Sequence, residues 1–451
     1  MPERMLRICL AWLLTCSTQW VAIVSANSLA IDSRAYVERS VALIEAGDYT
    51  LARTYLGPAL IDYRLSAGER SRAYYLRGYS FYAQKFYVSA GKDYTRALEF
   101  NPDNPRAAAA LAGLHARGLG VARDEALAYQ LFTRAAHAGL VDAQFHVGYA
   151  ELEGRGTDKD LDSARGWLMG AAEEGHIPAM TFLARSFRAD VTATPEPEQA
   201  RTWYEKAHAA GAVDALVALA FMYQNGELGE PDVERAAELF SQAAEAGSGP
   251  GQVSLGHLYL TGESRPRDYG KALHLFQQAA AQQVPASYLA LGHLYEAGLG
   301  VKLDLAAAED WYRRAADADF LPAQLRLVQL LLNRDEADAL AEAMSWLARA
   351  ANEHDSPQAN NDYAWMLATH PQTDLRDGEL AVTLARRAVE KQPTAAYLDT
   401  LAAAYAEVGR FAEAVTTQQA ALELVEETED ALRAELNSHL VAYEAGKPWR
   451  E

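Results

Sequence analysis

Cysteine is almost missing from this sequence of 451 residues: the only two, Cys9 and Cys16, both precede Ala26. If that segment is removed, no disulfide framework, thiolate nucleophile or cysteine metal site can form in the remainder. Proline (16) and glycine (30) are too few for a collagen-like chain, and 50% hydrophobic residues against 23% charged exclude a disordered one. Basic charge is in deficit, with 41 Lys and Arg against 61 Asp and Glu and a formal net charge of −20. Such a surface repels phosphate backbones and anionic lipid, so nucleic-acid binding is disfavoured. Beyond residue 30 no apolar run is long enough to cross a bilayer. A single compact core is also unexpected, because cores stop growing near roughly 250–300 residues. The chain either divides into domains or forms an elongated array.

Residues 1–26 read as an address. Arg4 and Arg7 precede an apolar run from Ile8 to Leu14, and a second run, Trp20 to Val24, ends at Val24-Ser25-Ala26. This is the layout of a secretory signal cleaved after Ala26. An uncleaved anchor would have to use Ile8 to Val24, which is short and broken by Ser17, Thr18 and Gln19. A lipoprotein reading would place a lipid on Cys16, but Thr15 stands where that motif wants a smaller residue. Membrane contact is expected only through such a lipid; otherwise the product is periplasmic or secreted.

What is abundant is self-similarity. Ala128, Ala164, Ala200, Ala236, Ala272 and Ala308 recur every 36 residues. Bulky pairs keep the same step: Leu131-Phe132, Trp167-Leu168, Trp203-Tyr204, Leu239-Phe240, Leu275-Phe276 and Trp311-Tyr312. Ala128, Leu131, Phe132 and Ala135 fall at i, i+3, i+4 and i+7, one face of a helix. The alanines let neighbouring helices approach and the bulky residues fill between layers. One helix pair cannot bury such a face alone, so the pairs must stack.

An acid shares the period: Asp124, Asp160, Glu196, Asp232, Asp268 and Asp304. Each precedes the second helix of its unit, where a carboxylate caps free N–H groups, and this accounts for the series better than a ladder of cation sites. Gly118-Leu119-Gly120, Gly154-Arg155-Gly156 and Gly298-Leu299-Gly300 follow a helix and lack the third glycine of a dinucleotide fingerprint, so they are expected to end helices. Asp158-Lys159-Asp160-Leu161-Asp162 opens like a calcium loop but continues with Ser163 and Met169 where glycine and glutamate are required. Metal-protease, P-loop and nucleophile-elbow motifs are missing. No catalytic, cofactor-binding or metal site is expected.

Leu291-Gly292-His293-Leu294-Tyr295-Glu296-Ala297-Gly298-Leu299-Gly300-Val301, followed by Asp304, Ala308, Trp311-Tyr312 and Ala315-Ala316, resembles a Sel1-like repeat. Seven such units fit between 107 and 358; the one over 179–214 and the last, from 323, lack both glycines. The flanks resemble the related tetratricopeptide repeat (TPR). Tyr74, Gly78, Phe81, Ala90, Tyr94, Ala97 and Pro102 carry that likeness, with Arg77 in place of the usual leucine; Leu398, Leu401, Tyr405, Gly409, Phe411, Ala414 and Ala421 carry it near the end. The resulting layout is a signal over 1–26, TPR-like units over 33–104, Sel1-like units over 107–358, TPR-like units over 359–428 and a closing helix and tail over 429–451.

The resemblance implies an all-α, right-handed superhelical solenoid of about eleven helix-turn-helix repeats. It further implies a non-enzymatic protein-interaction scaffold in a bacterial cell envelope, binding a protein or an extended peptide along a concave face. Scaffolds of alginate-like polysaccharide export share this repeat content, and aromatic faces also suit carbohydrate binding. β-lactam binding is associated with cysteine-rich relatives, whose disulfides this chain lacks. The inner-face positions that the resemblance marks carry Tyr75, Tyr79 and Tyr82 in one unit, Phe145 and Tyr149 in another, then Phe221, His257 and His293. The three tyrosines step i, i+4, i+7 along one helix face.

Overall fold

The computed structural model describes residues 32–188, 191–334, 337–425 and 430–450. The expected signal segment and Cys16 lie outside them. Among the described residues the chain forms 23 α-helices, one 3₁₀ turn at Thr373–Leu375 and no strand. The expected all-α helical-repeat class is what the structure shows. No described helix is long and apolar enough to cross a membrane.

Two compact units divide between Pro231 and Asp232. The first contains the pairs Ser33–Glu45 with Tyr49–Ile61, Ala67–Ala83 with Tyr87–Phe100, Pro105–Arg117 with Glu125–His137, Val141–Glu153 with Leu161–Glu173 and Ile177–Ser186 with Pro197–Ala209, and ends on Ala215–Gln224. The second opens on Val233–Glu245. It continues with Gly249–Thr261 and Tyr269–Ala281, Pro285–Ala297 and Leu305–Asp317, Leu321–Leu332 and Ala337–His354, Pro357–Thr369 and Gly378–Lys391, Ala395–Glu407 and Phe411–Glu423, and closes with Asp430–Glu444.

The periodic residues explain the pairing. The alanines at 128, 164, 200, 236, 272 and 308 are all buried. Opposite them, a glycine on several of the first helices receives the bulky side chain of the second. A Cβ added to Gly256 would lie 2.5 Å from the Phe276 ring, and one added to Gly292 would lie 2.2 Å from that of Tyr312. The outer TPR-like unit uses the same device, with Gly78 under Tyr94. Arg77 departs from the usual leucine of that unit because it is ion-paired. Its guanidinium donates two 2.7 Å hydrogen bonds to Asp93 on the facing helix, and Asp93 is buried.

Capping follows the expected acids with one exception. Asp124, Asp160, Asp232, Asp268 and Asp304 each accept the N–H three residues on, at 2.8–3.0 Å. Glu196 makes no such bond, and its carboxylate meets the side chains of Gln199 and Arg165 instead. The extra methylene of glutamate carries the carboxylate past the capping amide. The paired glycines have distinct tasks. Gly154 ends its helix at φ +72°, whereas Gly156 allows contact with the previous repeat: a Cβ there would lie 2.1 Å from the Glu125 carbonyl oxygen.

Gly292→Ala is expected to destabilise the protein by about 1–3 kcal/mol, because the Tyr312 ring must move. Gly113 is half-exposed in a helix, and a Cβ there meets only the Arg117 guanidinium at 3.5 Å. Gly113→Ala should therefore stabilise by about 0.4–1 kcal/mol. Denaturant titration of both variants checks this, and equal effects would contradict the packing argument.

Candidate partner-binding groove

The helix Ala67–Ala83 is fixed at its start by a capping box. Ser66 Oγ accepts the Glu69 N–H at 3.3 Å and the Glu69 carboxylate accepts the Ser66 N–H at 2.8 Å. Its tyrosines form one wall of an open cavity of about 370 Å³, lined by Tyr75, Tyr79 and Tyr82. Tyr75 rests on Tyr94 with ring centroids 6.0 Å apart, while Tyr79 is 38% exposed. The Tyr82 hydroxyl accepts from Arg117 at 2.9 Å.

The floor is the next first helix, Pro105–Arg117, which presents Ala109, Ala110 and Gly113. Ala109 and Gly113 stand 36 residues before Phe145 and Tyr149 and take their places with almost no side chain. A hollow is left where other repeats would project rings. An adjoining cavity, also about 370 Å³, shares Gly113, Arg117, Phe132 and His146 and extends to Tyr149 and Arg155.

The charges in this groove are unevenly matched. Arg106 makes no side-chain hydrogen bond to any described residue, Arg117 bonds the Gly113 carbonyl and Tyr82, and Arg155 lies 5.2 Å over the Tyr149 ring. None of the three pairs with a carboxylate among the described residues. The lining carboxylates already have partners: Asp142 meets His176 at 3.2 Å and Glu125 meets Arg123. Burial holds the imidazole of His146, stacked 4.4 Å from Phe132, below its ordinary pKa.

The sequence-derived positions separate into groups. Tyr75, Tyr79, Tyr82 and Tyr149 line the two adjoining hollows. Phe145 instead joins a half-buried cluster, 4.8 Å from His176 and 5.6 Å from Phe182. Phe221 is 39% exposed in the first unit but lines neither hollow. His257 and His293 belong to the second unit, edge-on to Phe276 and Tyr312 at 5.1 and 5.6 Å. Sequence reasoning missed Arg106, Arg117, His146 and Arg155. The available signal was the run of small residues at 109, 113 and 116, in phase with the tyrosines. Asp319, Glu353 and His354 come within metal-ligand range of one another, but Arg349 pairs with Glu353 at 2.8 Å and the Asp319 carboxylate already bonds His354.

The Sel1 repeat family matches residues 105–140, 141–176, 177–211, 213–248, 249–284 and 285–320. No curated protein matches the chain. Among solved structures, a Sel1 repeat protein from Oxalobacter formigenes is similar at 26% identity, over 54% of this chain and 96% of that one, with a TM-score of 0.46. A protective antigen of uropathogenic Escherichia coli with an SLR fold is similar at 25% identity, over 84% and 81% of the two chains, with a TM-score of 0.44. Yeast Tom70 is similar at 14% identity over 92% and 96%, with a TM-score of 0.40.

Burial lowers the pKa of His146, His257 and His293. The unfolded chain therefore takes up protons first, near pH ~6.5, and these groups withdraw stability as pH falls below that value while leaving it unchanged above. Thermal unfolding of His257→Gln/His293→Gln should lose less stability than the parent between about pH 7 and pH 5. Identical losses would contradict the assignment. With six repeats matched between residues 105 and 320 and the helix pairs they require in place, the chain carries an array of Sel1 repeats, a repeat whose proteins typically mediate protein–protein interaction.

Proposed function

We propose that this protein is a non-enzymatic scaffold that captures a protein or an extended peptide in the groove of its first unit. One observation carries the reading. A small-residue floor lies between aromatic walls, and Arg106, Arg117 and Arg155 border it without carboxylate partners among the described residues. Tyrosine offers large contact area, a hydroxyl and little rotamer entropy to lose. Guanidinium groups select planar acceptors, carboxylates above all. The preferred occupant is an extended segment with acidic side chains spaced by apolar ones. Location in a bacterial cell envelope is part of the proposal and rests on the sequence of residues 1–26.

Crosslinked affinity capture from the native envelope, followed by mass spectrometry, tests the scaffold role. Tyr75→Ala/Tyr79→Ala/Tyr82→Ala should lose the specific partner while keeping a cooperative thermal transition. Gly113→Trp, which fills the floor without entering the core, should lose it as well. The proposal fails if no specific protein is captured, or if both variants capture it as the parent does.

A further inference from the structure

A second cavity, in the other compact unit, falls on none of the positions singled out in the sequence. It encloses about 440 Å³, within the range of ligand-binding clefts. Three first helices build it, Leu321–Leu332, Pro357–Thr369 and Ala395–Glu407, together with the closing helix Asp430–Glu444 and Leu347 of the helix Ala337–His354. Leu325, Val328, Met366 and Leu432 supply apolar walls.

The charged part of its lining is acidic. Asp362, Asp399 and Glu435 face it, and no lysine, arginine or histidine is among the described lining residues. Asp399 is only 7% exposed. Its Oδ1 accepts from Gln418 Nε2 at 2.6 Å and from His439 Nδ1 at 2.8 Å, and its Oδ2 has no hydrogen bond to any described residue. The carboxylate of Asp362 receives one 3.2 Å bond from Asn361 Nδ2 and forms no ion pair with a described residue. Desolvation raises its pKa, the mark of a carboxylate without a counter-charge. Asn361 Oδ1, on the same wall, is buried with no donor. Arg326, next in sequence to Leu325 of the wall, is held instead by Glu296 and by the side chain of Gln329.

A buried acceptor without a donor, and two carboxylates, Asp362 and Glu435, without a cation among the described residues, describe one missing group, a side chain rich in N–H donors with a positive charge. The apolar walls suit the methylene stem of such a side chain and its hydrophobic neighbours. We infer that this cavity is a second docking site, which takes a lysine or arginine side chain projecting from an apolar segment of a partner protein. The site is independent of the first-unit groove, and its charge preference is the opposite.

The test uses full-length protein and four fluorescein-labelled hexapeptides of leucine and glycine that differ only in a central Lys, Arg, Glu or Ala. Fluorescence anisotropy at near-physiological salt suppresses diffuse attraction to the acidic surface. The Lys and Arg peptides should bind saturably, and at least about tenfold more tightly than the Glu and Ala peptides, since a charge-assisted bond in a desolvated site is worth more than a neutral one. Asp362→Asn/Glu435→Gln should remove that preference, and Met366→Trp should block binding by filling the cavity. The Tyr75→Ala/Tyr79→Ala/Tyr82→Ala variant should bind like the parent, which separates this site from the first groove. A thermal scan of each variant confirms folding. The inference is overturned if the cationic peptides do not saturate, if all four bind alike, or if folded Asp362→Asn/Glu435→Gln keeps the preference.

Discussion

The seating of a bulky side chain over a residue with little or no side chain is the constraint on which this molecule depends. Phe276 lies over Gly256 and Tyr312 over Gly292, so closely that one added methyl group would displace the ring. The contact fixes the separation and axial register of the two helices in a pair. The other elements serve it. Aspartate caps set where each second helix begins, and the Gly-x-Gly turns let one repeat touch the last. Burial of the phased alanines then joins neighbouring pairs.

The same preference for small residues makes function possible. Where a small side chain is covered, it seats a ring; where it is left open, it makes a hollow. Ala109 and Gly113 occupy the register that Phe145 and Tyr149 take one repeat later, and the first-unit groove exists because of that exchange. The fold tolerates it because these positions point away from the pair contact. A repeat of this kind can therefore change its exposed surface without altering its core, which suits a family that typically mediates protein–protein interaction.

Most of the fold was legible because one physical requirement was written many times. A 36-residue step in alanine, bulky pairs and acids defines the helix pairs by repetition, and a single lapse does not hide it. Glu196 shows the limit. It keeps phase and charge but fails as a cap, because one methylene changes where the carboxylate reaches. The tyrosine wall was legible from its i, i+4, i+7 spacing. The arginines were not, since Arg106, Arg117 and Arg155 share no period, and the floor opposite the tyrosines consists of side chains too small to attract notice. The acidic cavity was less visible still. Its members run from Leu325 to Leu436, and only the packing of five helices brings them together.

A double-mutant cycle at Gly256 and Phe276 tests the ring-seating claim most directly, because the three nearest side-chain neighbours of an added Cβ at Gly256, at 2.5–3.0 Å, all belong to that ring. Denaturant unfolding of the parent, Gly256→Ala, Phe276→Leu and the double variant supplies the four free energies. The account predicts strong coupling, with the double variant more stable than additivity allows by about 1 kcal/mol or more, because the smaller leucine makes room for the added methyl. Simple additivity would mean that the glycine does not seat the ring, and the physical basis given for the repeat would be wrong.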